Sequence, residues 1–165
     1  LGDDLNNAVI TTKFGVRVEN GKTFYDNSRE YIFKAVEGSL KRLNREYIDL
    51  YQVHYRDGKT PLSDVAESLE ILKQQGKIRY YGLSNIHKED MEELKQFSNN
   101  PFVSFQDEYS LACRKNEKIT SKRGLDLFRI EASLYGLSNE IYEDSLPFPF
   151  HRINCQKGIA LTAKT

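Results

Sequence analysis

Tyr47-Ile48-Asp49-Leu50-Tyr51-Gln52-Val53-His54 is the stretch on which the fold turns. It is short, rich in β-branched and aromatic residues, and ends in an imidazole, as a strand running into a polar rim would. Alternation places Ile48, Leu50, Gln52 and His54 on one side of it. The polar residues 55–59 follow, and then Thr60 and Pro61 suit an N-cap and a first helical position. Leu62, Val65, Ala66, Leu69 and Leu72 recur at helical spacing, and Gly76 stands where a C-cap glycine belongs. A second strand-like run, residues 78–85, completes a strand–helix–strand unit.

Working outward, the same alternation continues. Residues 8–14 form a short β-rich run ending at Gly15. Residues 27–43 then read as a helix, with Ile32, Val36, Leu40 and Leu43 on one face and Asn27 with Glu30 as its start. Downstream, residues 88–97 read as a helix and residues 102–109 as a strand after Pro101. Such alternation predicts right-handed crossovers and a parallel sheet, either an open doubly wound layer or part of a barrel. The chain has no GxGxxG phosphate loop, which favours the barrel.

Composition narrows the function classes. The 24 basic residues balance 24 acidic ones, so no dominant attraction to nucleic acid or anionic lipid is expected. No apolar run approaches the roughly 20 residues of a membrane span, and no charged-then-apolar leader opens the chain. Cys113 and Cys155 lack metal-ligand spacing and suit a reducing cytosol, where the plainest reading is two idle thiols. The expectation is a cytoplasmic globular protein without nucleic-acid or membrane partners.

In parallel α/β folds the chemistry collects at the C-terminal ends of the strands. Lys13 ends the first run, His54 the second and Ser84 with Asn85 the third, while Gln106 lies late in the fourth. Taken singly each has a plainer reading: a solvated lysine, a hydrogen-bonded structural histidine, a turn-forming asparagine. An amine, an imidazole, a hydroxyl and two amides on one rim together make a site.

These residues stand in motifs that resemble the aldo-keto reductase family. The motifs are Thr12-Lys13-Phe14-Gly15, the stretch from Tyr47 to His54, Gly76-Lys77-Ile78-Arg79-Tyr80-Tyr81-Gly82-Leu83-Ser84-Asn85, and Gln106 followed by Tyr109-Ser110-Leu111. The resemblance runs unbroken over residues 9–116. It implies a (β/α)₈ barrel of the TIM type and NADPH bound in extended form across its mouth. It also implies hydride transfer to a small-molecule aldehyde or ketone. Lys13 and His54 would be catalytic, and Ser84, Asn85 and Gln106 would hydrogen-bond the nicotinamide carboxamide. Hydride arriving at a carbonyl carbon leaves an alkoxide, so such a site needs a proton donor and preorganised polarisation of the oxygen. In the family the donor is a tyrosine whose pKa is lowered by the lysine, which an aspartate holds charged.

By position, that tyrosine and aspartate precede the equivalent of Leu1. The chain is therefore expected to hold about strands 3 to 7 of eight, as one partial barrel domain over residues 1–165. Lys157-Gly158-Ile159-Ala160-Leu161-Thr162-Ala163 resembles the seventh strand. The end strands of such a piece lack neighbours, which predicts self-association through unpaired edges.

Residues 118–157 are atypical and read as an insertion or a duplicated segment. Tyr135-Gly136-Leu137-Ser138-Asn139 repeats Tyr81–Asn85, and Glu131, Ser133 and Leu134 repeat Glu108, Ser110 and Leu111, at different periods. Pro147 and Pro149 argue against a continuous helix there. Two function classes follow: an NADPH-dependent carbonyl reductase in an incomplete or inactive form, or a non-catalytic regulatory protein on the same scaffold. The second class resembles the potassium-channel β subunits.

Overall fold

The computed structural model describes residues 8–107 and 127–129. Strand β1 (Thr11–Phe14) is followed by β2 (Val16–Glu19) and β3 (Lys22–Tyr25), then helix α1 (Arg29–Leu43) and strand β4 (Ile48–Val53). Helix α2 (Leu62–Gln74), strand β5 (Ile78–Ser84), helix α3 (Lys88–Leu94), strand β6 (Ser104–Asp107) and strand β7 (Leu127–Arg129) complete the order. Five strands pair in the order β1-β4-β5-β6-β7, and every pairing is parallel. This is the expected parallel α/β architecture, a section of the TIM-barrel type with helices on one face of the sheet.

The core lies between sheet and helices. Tyr51 and Val53 of β4, Tyr81 and Leu83 of β5, Phe14 of β1 and Phe105 of β6 share the helix-facing side. They pack in one cluster with Ile32 and Val36 of α1 and Leu62, Val65, Leu69 and Leu72 of α2. Phe14 stacks on Tyr51 with centroids 4.7 Å apart. Burying a large apolar side chain contributes about 1.5–3 kcal/mol, so this cluster dominates the stability of the described region. Every residue of β4, which has a paired strand on each side, is buried.

The element boundaries differ from the sequence reading for physical reasons. Helix α1 starts at Arg29, two residues later than the expected 27. Ser28 is its N-cap and accepts from the Tyr31 N–H, while Asn27 is fully buried and engaged elsewhere. Helix α2 has Pro61 as its N-cap with no side-chain cap bond of its own. Glu93 of α3 supplies the acceptor instead, taking the Leu62 N–H at 2.5 Å. Gly76 follows the C-cap Gln75 with φ +73°, as expected. Helix α3 ends at Leu94, inside the run 88–97, and strand β6 begins at Ser104, inside the run 102–109, whose last two residues lie outside the described residues.

The antiparallel hairpin β2–β3 is a finding the sequence reading lacked. Its two-residue turn is Asn20-Gly21, with φ of 51° and 74° and Glu19 in register with Lys22. Positive φ at both positions is the turn that Asn-Gly favours. Within residues 118–157 the structure describes one short strand, β7, parallel to β6. The remainder of that segment, its repeats and the expected strand at 157–163 lie outside the described residues. Among the described residues no helix is long and apolar enough to cross a membrane.

Candidate active site

Strand register brings the expected residues to one end of the sheet. Lys13 of β1 pairs with Gln52 of β4, Gln52 with Gly82 of β5, and Gly82 with Ser104 of β6. One rung higher, Ser84 pairs with Gln106. His54 is two residues beyond Gln52, so alternation returns it to the same face. Lys13, His54, Ser84 and Gln106 thus occupy two adjacent rungs of one surface, opposite the helices. Ser84 is buried, whereas Lys13, His54, Asn85 and Gln106 are half-buried.

Beyond the regular pairing, hydrogen bonds tie the strand ends together. The His54 N–H donates to the Phe14 carbonyl at 2.7 Å and the Asn85 N–H to the Gln106 carbonyl at 2.9 Å. Asn85 adopts a left-handed backbone, φ 53°, a conformation its short polar side chain tolerates. Its Nδ2 donates to the His54 carbonyl at 2.8 Å and lies 3.3 Å from Ser84 Oγ. Asn85 therefore does structural duty at the rim whether or not it meets a ligand.

Burial, followed by the positive charge of Lys13, pushes the His54 pKa below its ordinary value. Both causes favour the neutral ring. The lysine thus acts electrostatically on the imidazole. Beyond His54 an aromatic row leads outward: Tyr55 lies 4.7 Å from the imidazole and Tyr25 of the hairpin 5.2 Å from Tyr55.

The loop after β4 is clamped from two sides. Asn27 Oδ1 accepts the Asp57 N–H at 2.8 Å, Asp57 Oδ2 accepts the Asn27 N–H at 2.8 Å, and Asn27 Nδ2 donates to the Tyr55 carbonyl at 3.1 Å. Gly15 makes room for this clasp: at φ +99°, a Cβ there would sit 2.7 Å from Asn27 Nδ2 and 3.0 Å from the Tyr55 carbonyl. Burial raises the Asp57 pKa, but the Thr60, Lys59 and Asn27 N–H groups and the Thr60 hydroxyl outweigh it and hold it below the usual range. On the other side, Arg56 donates to the Thr60 carbonyl at 2.7 Å and pairs with Asp90 and Glu93 of α3. Sequence reading missed this clasp because its partners lie about thirty positions apart and none repeats a motif.

With this geometry in place, comparison with known proteins is decisive. The model of the aldo/keto reductase family matches residues 2–124. The chain belongs to the aldo/keto reductase family. Among curated relatives, the uncharacterized oxidoreductase YqkF of Bacillus subtilis (strain 168) is 38% identical over 124 residues, covering 72% of this chain and 40% of that protein. The aldo-keto reductase YhdN of the same organism is 36% identical over 128 residues, covering 78% of this chain and 38% of that protein. The chain thus spans about 40% of the length of these family members.

Solved structures agree. The holo form of aldo-keto reductase AKR11C1 from Bacillus halodurans superposes with a TM-score of 0.64 at 38% identity, over 73% of this chain and 42% of that one. An aldo-keto reductase from Klebsiella pneumoniae, solved in complex with NADPH, superposes with a TM-score of 0.60 at 28% identity. It covers 74% of this chain and 42% of its own.

Proposed function

We propose that this chain carries part of the active site of an NADPH-dependent oxidoreductase that reduces small aldehydes or ketones to alcohols. The observation that carries the reading is the arrangement of Lys13, His54, Ser84, Asn85 and Gln106 at the C-terminal ends of four successive parallel strands. A nicotinamide carboxamide presents one acceptor and two donors. The Ser84 hydroxyl and the Gln106 amide offer both kinds of group in register on neighbouring strands, so the residues present fit it. When bound, the cofactor would supply the hydride, and the proton that completes the alcohol would come from a tyrosine donor of the kind the family uses, not from the residues assigned here.

The residues of this chain prepare the carbonyl. His54, its pKa lowered by burial and by Lys13, is neutral near pH 7 and offers a ring N–H to the carbonyl oxygen. Lys13 brings an ammonium to the rung below, where it stabilises negative charge growing on that oxygen. The clasp of Asn27 and Asp57 holds the loop behind His54, so the imidazole need not reorganise as that charge develops. Tyr55 and Tyr25 offer an apolar wall beside it. The proposal includes a cytoplasmic location, in keeping with only two cysteines in the chain. It also includes self-association through unpaired strand edges, which sedimentation of the purified chain would reveal.

The test is thermal unfolding with and without NADPH. A ligand binding only the folded state adds about 2.7 kcal/mol at a hundredfold excess over its dissociation constant, so the midpoint should rise, and should rise less in Ser84→Ala. An unshifted midpoint in the wild-type chain overturns the reading. NADPH binding without turnover of any aldehyde or ketone would place the protein instead among non-catalytic members of the scaffold.

A further inference from the structure

The hairpin β2–β3 rises beside the site, and the carbonyl chemistry leaves most of its surface unused. Among the described residues the exposed large apolar side chains are Val9, Val18, Phe24 and Tyr25, and all but Val9 sit on this hairpin. Its register sorts them onto two faces. Arg17 pairs with Phe24, and Arg17 leans over the Tyr31 ring of α1 at 5.8 Å, so that face turns towards the helix. The other charged residues of the two strands, Glu19 and Lys22, pair on that same face. Val16 pairs with Tyr25 and Val18 with Thr23 on the opposite face, which carries no charge. Val18 and Tyr25 are diagonal neighbours there, close enough to touch one apolar group together.

The uncharged face is joined to His54. Tyr25 packs on Tyr55 at 5.2 Å, and Tyr55 on the imidazole at 4.7 Å. The base of the hairpin is fixed as well. The Asp26 N–H donates to the Gly15 carbonyl at 3.1 Å, the Tyr31 hydroxyl to the Val16 carbonyl at 2.9 Å, and Arg17 pairs with Asp26 at 2.7 Å. Yet Tyr25 stays 51% and Val18 60% exposed. Apolar side chains scattered singly on a surface need no cause, whereas a contiguous row running into a candidate site marks a ligand groove.

We propose that Tyr25 and Val18 are specificity-determining residues. With the carbonyl oxygen at His54, an apolar arm of the substrate lies across Tyr55 and onto this face of the hairpin. The inference rests on the reading of His54 as the group that meets the carbonyl. It narrows the substrate class to carbonyl compounds that bear an aromatic or extended aliphatic arm. A ledge held in place before binding costs little ordering when the arm arrives.

The experiment titrates the full chain, carrying ¹³C in its tyrosine rings, with butanone and with benzylacetone, followed by NMR. The two ketones share a carbonyl end and differ in the arm, and NADP⁺ is present so that no hydride is transferred. Benzylacetone should bind about tenfold more tightly, from the area its ring buries, and should move the Tyr25 and Tyr55 ring signals. Tyr25→Ala should cut that preference about fivefold, the size of one aromatic contact, and Val18→Ser should cut it less. Phe24→Ser removes apolar area from the opposite face and should leave the preference as it is. His54→Gln should weaken both ketones alike. Equal affinity for the two ketones, or a preference that survives both Tyr25→Ala and Val18→Ser, overturns the inference. Should Tyr25→Ala lose its dispersed spectrum, Val18→Ser set against Phe24→Ser decides by the same criterion. A chain whose midpoint ignores NADPH but whose preference depends on Tyr25 would keep the ledge and lose the proposed function. A midpoint that rises with no preference between the ketones would remove the ledge alone.

Discussion

The two ends of the parallel sheet spend their polar residues differently. At the N-terminal end, Asp49 accepts the Ile10 N–H at 3.0 Å, meets Arg79 at 3.1 Å and lies 3.9 Å from Arg45. Both arginines also sit over the Tyr47 ring, at 4.0 Å and 5.0 Å. Each group there is answered by another group of the protein. At the C-terminal end the loops are just as firmly tied, by Asn27, Asp57 and Arg56. The surface they frame nonetheless keeps an imidazole biased towards neutrality and a buried amide oxygen with spare capacity. The saturated end holds the fold together; the end with spare hydrogen-bonding capacity is the one we propose meets a ligand.

The contrast can be broken most severely between the two ends. Gly82→Ala forces a methyl group into Ser104, including its backbone, and should cost about 3 kcal/mol or more in denaturant unfolding, at the upper end of overpacking effects. Next, Asp49→Ala should cost about 2 kcal/mol by removing a charged acceptor and leaving the Ile10 N–H unanswered. Any NADPH-induced rise in midpoint should survive this change, because the damage is at the far end. A stability loss under 0.5 kcal/mol would show that the N-terminal cluster is ornamental.

Smaller and pH-dependent is the loss at the clasp. The Asp57 pKa is depressed in the folded chain, so its stabilisation is fully present above the unfolded value of about 3.9. It fades as pH falls through the folded value. Asp57→Asn should therefore destabilise at pH 7 and converge with the wild type at the lowest pH where both still unfold cooperatively. Parallel pH curves would deny the carboxylate its role. The smallest stability effect is expected at the site itself: His54→Gln should change stability by within about 0.5 kcal/mol while abolishing any carbonyl reduction. A large loss of stability there would move His54 to the structural side of the comparison.

Much of this was readable from the residues. The helical spacing of Ile32, Val36 and Leu40 and the alternation through His54 carry strong local signals, and the structure buries the former and aligns the latter. Lys13, Ser84 and Gln106 could be placed on one rim because parallel register follows from strand–helix alternation. The hairpin was harder to read: its strands are four residues each, largely exposed, and without a one-sided pattern. Asn20-Gly21 was the available signal. Asn27 was read as a cap because its type suits one, yet a partner thirty residues on competes for it. Gln52 could be assigned a face but not a reach, since its bond to Ser104 spans 52 positions and depends on the missing side chain of Gly82.

The rim bonds have a metrological consequence. From the Phe14 carbonyl to the His54 N–H, from the His54 carbonyl to the Asn85 amide, and from the Asn85 N–H to the Gln106 carbonyl, four strand ends are coupled in series. Thermal excursions of that edge are therefore shared: the imidazole and the groups proposed to face a carboxamide ride on a common ruler. Their spacing can stay constant while the rim as a whole drifts, and a transfer reaction is sensitive to spacing, not to absolute position.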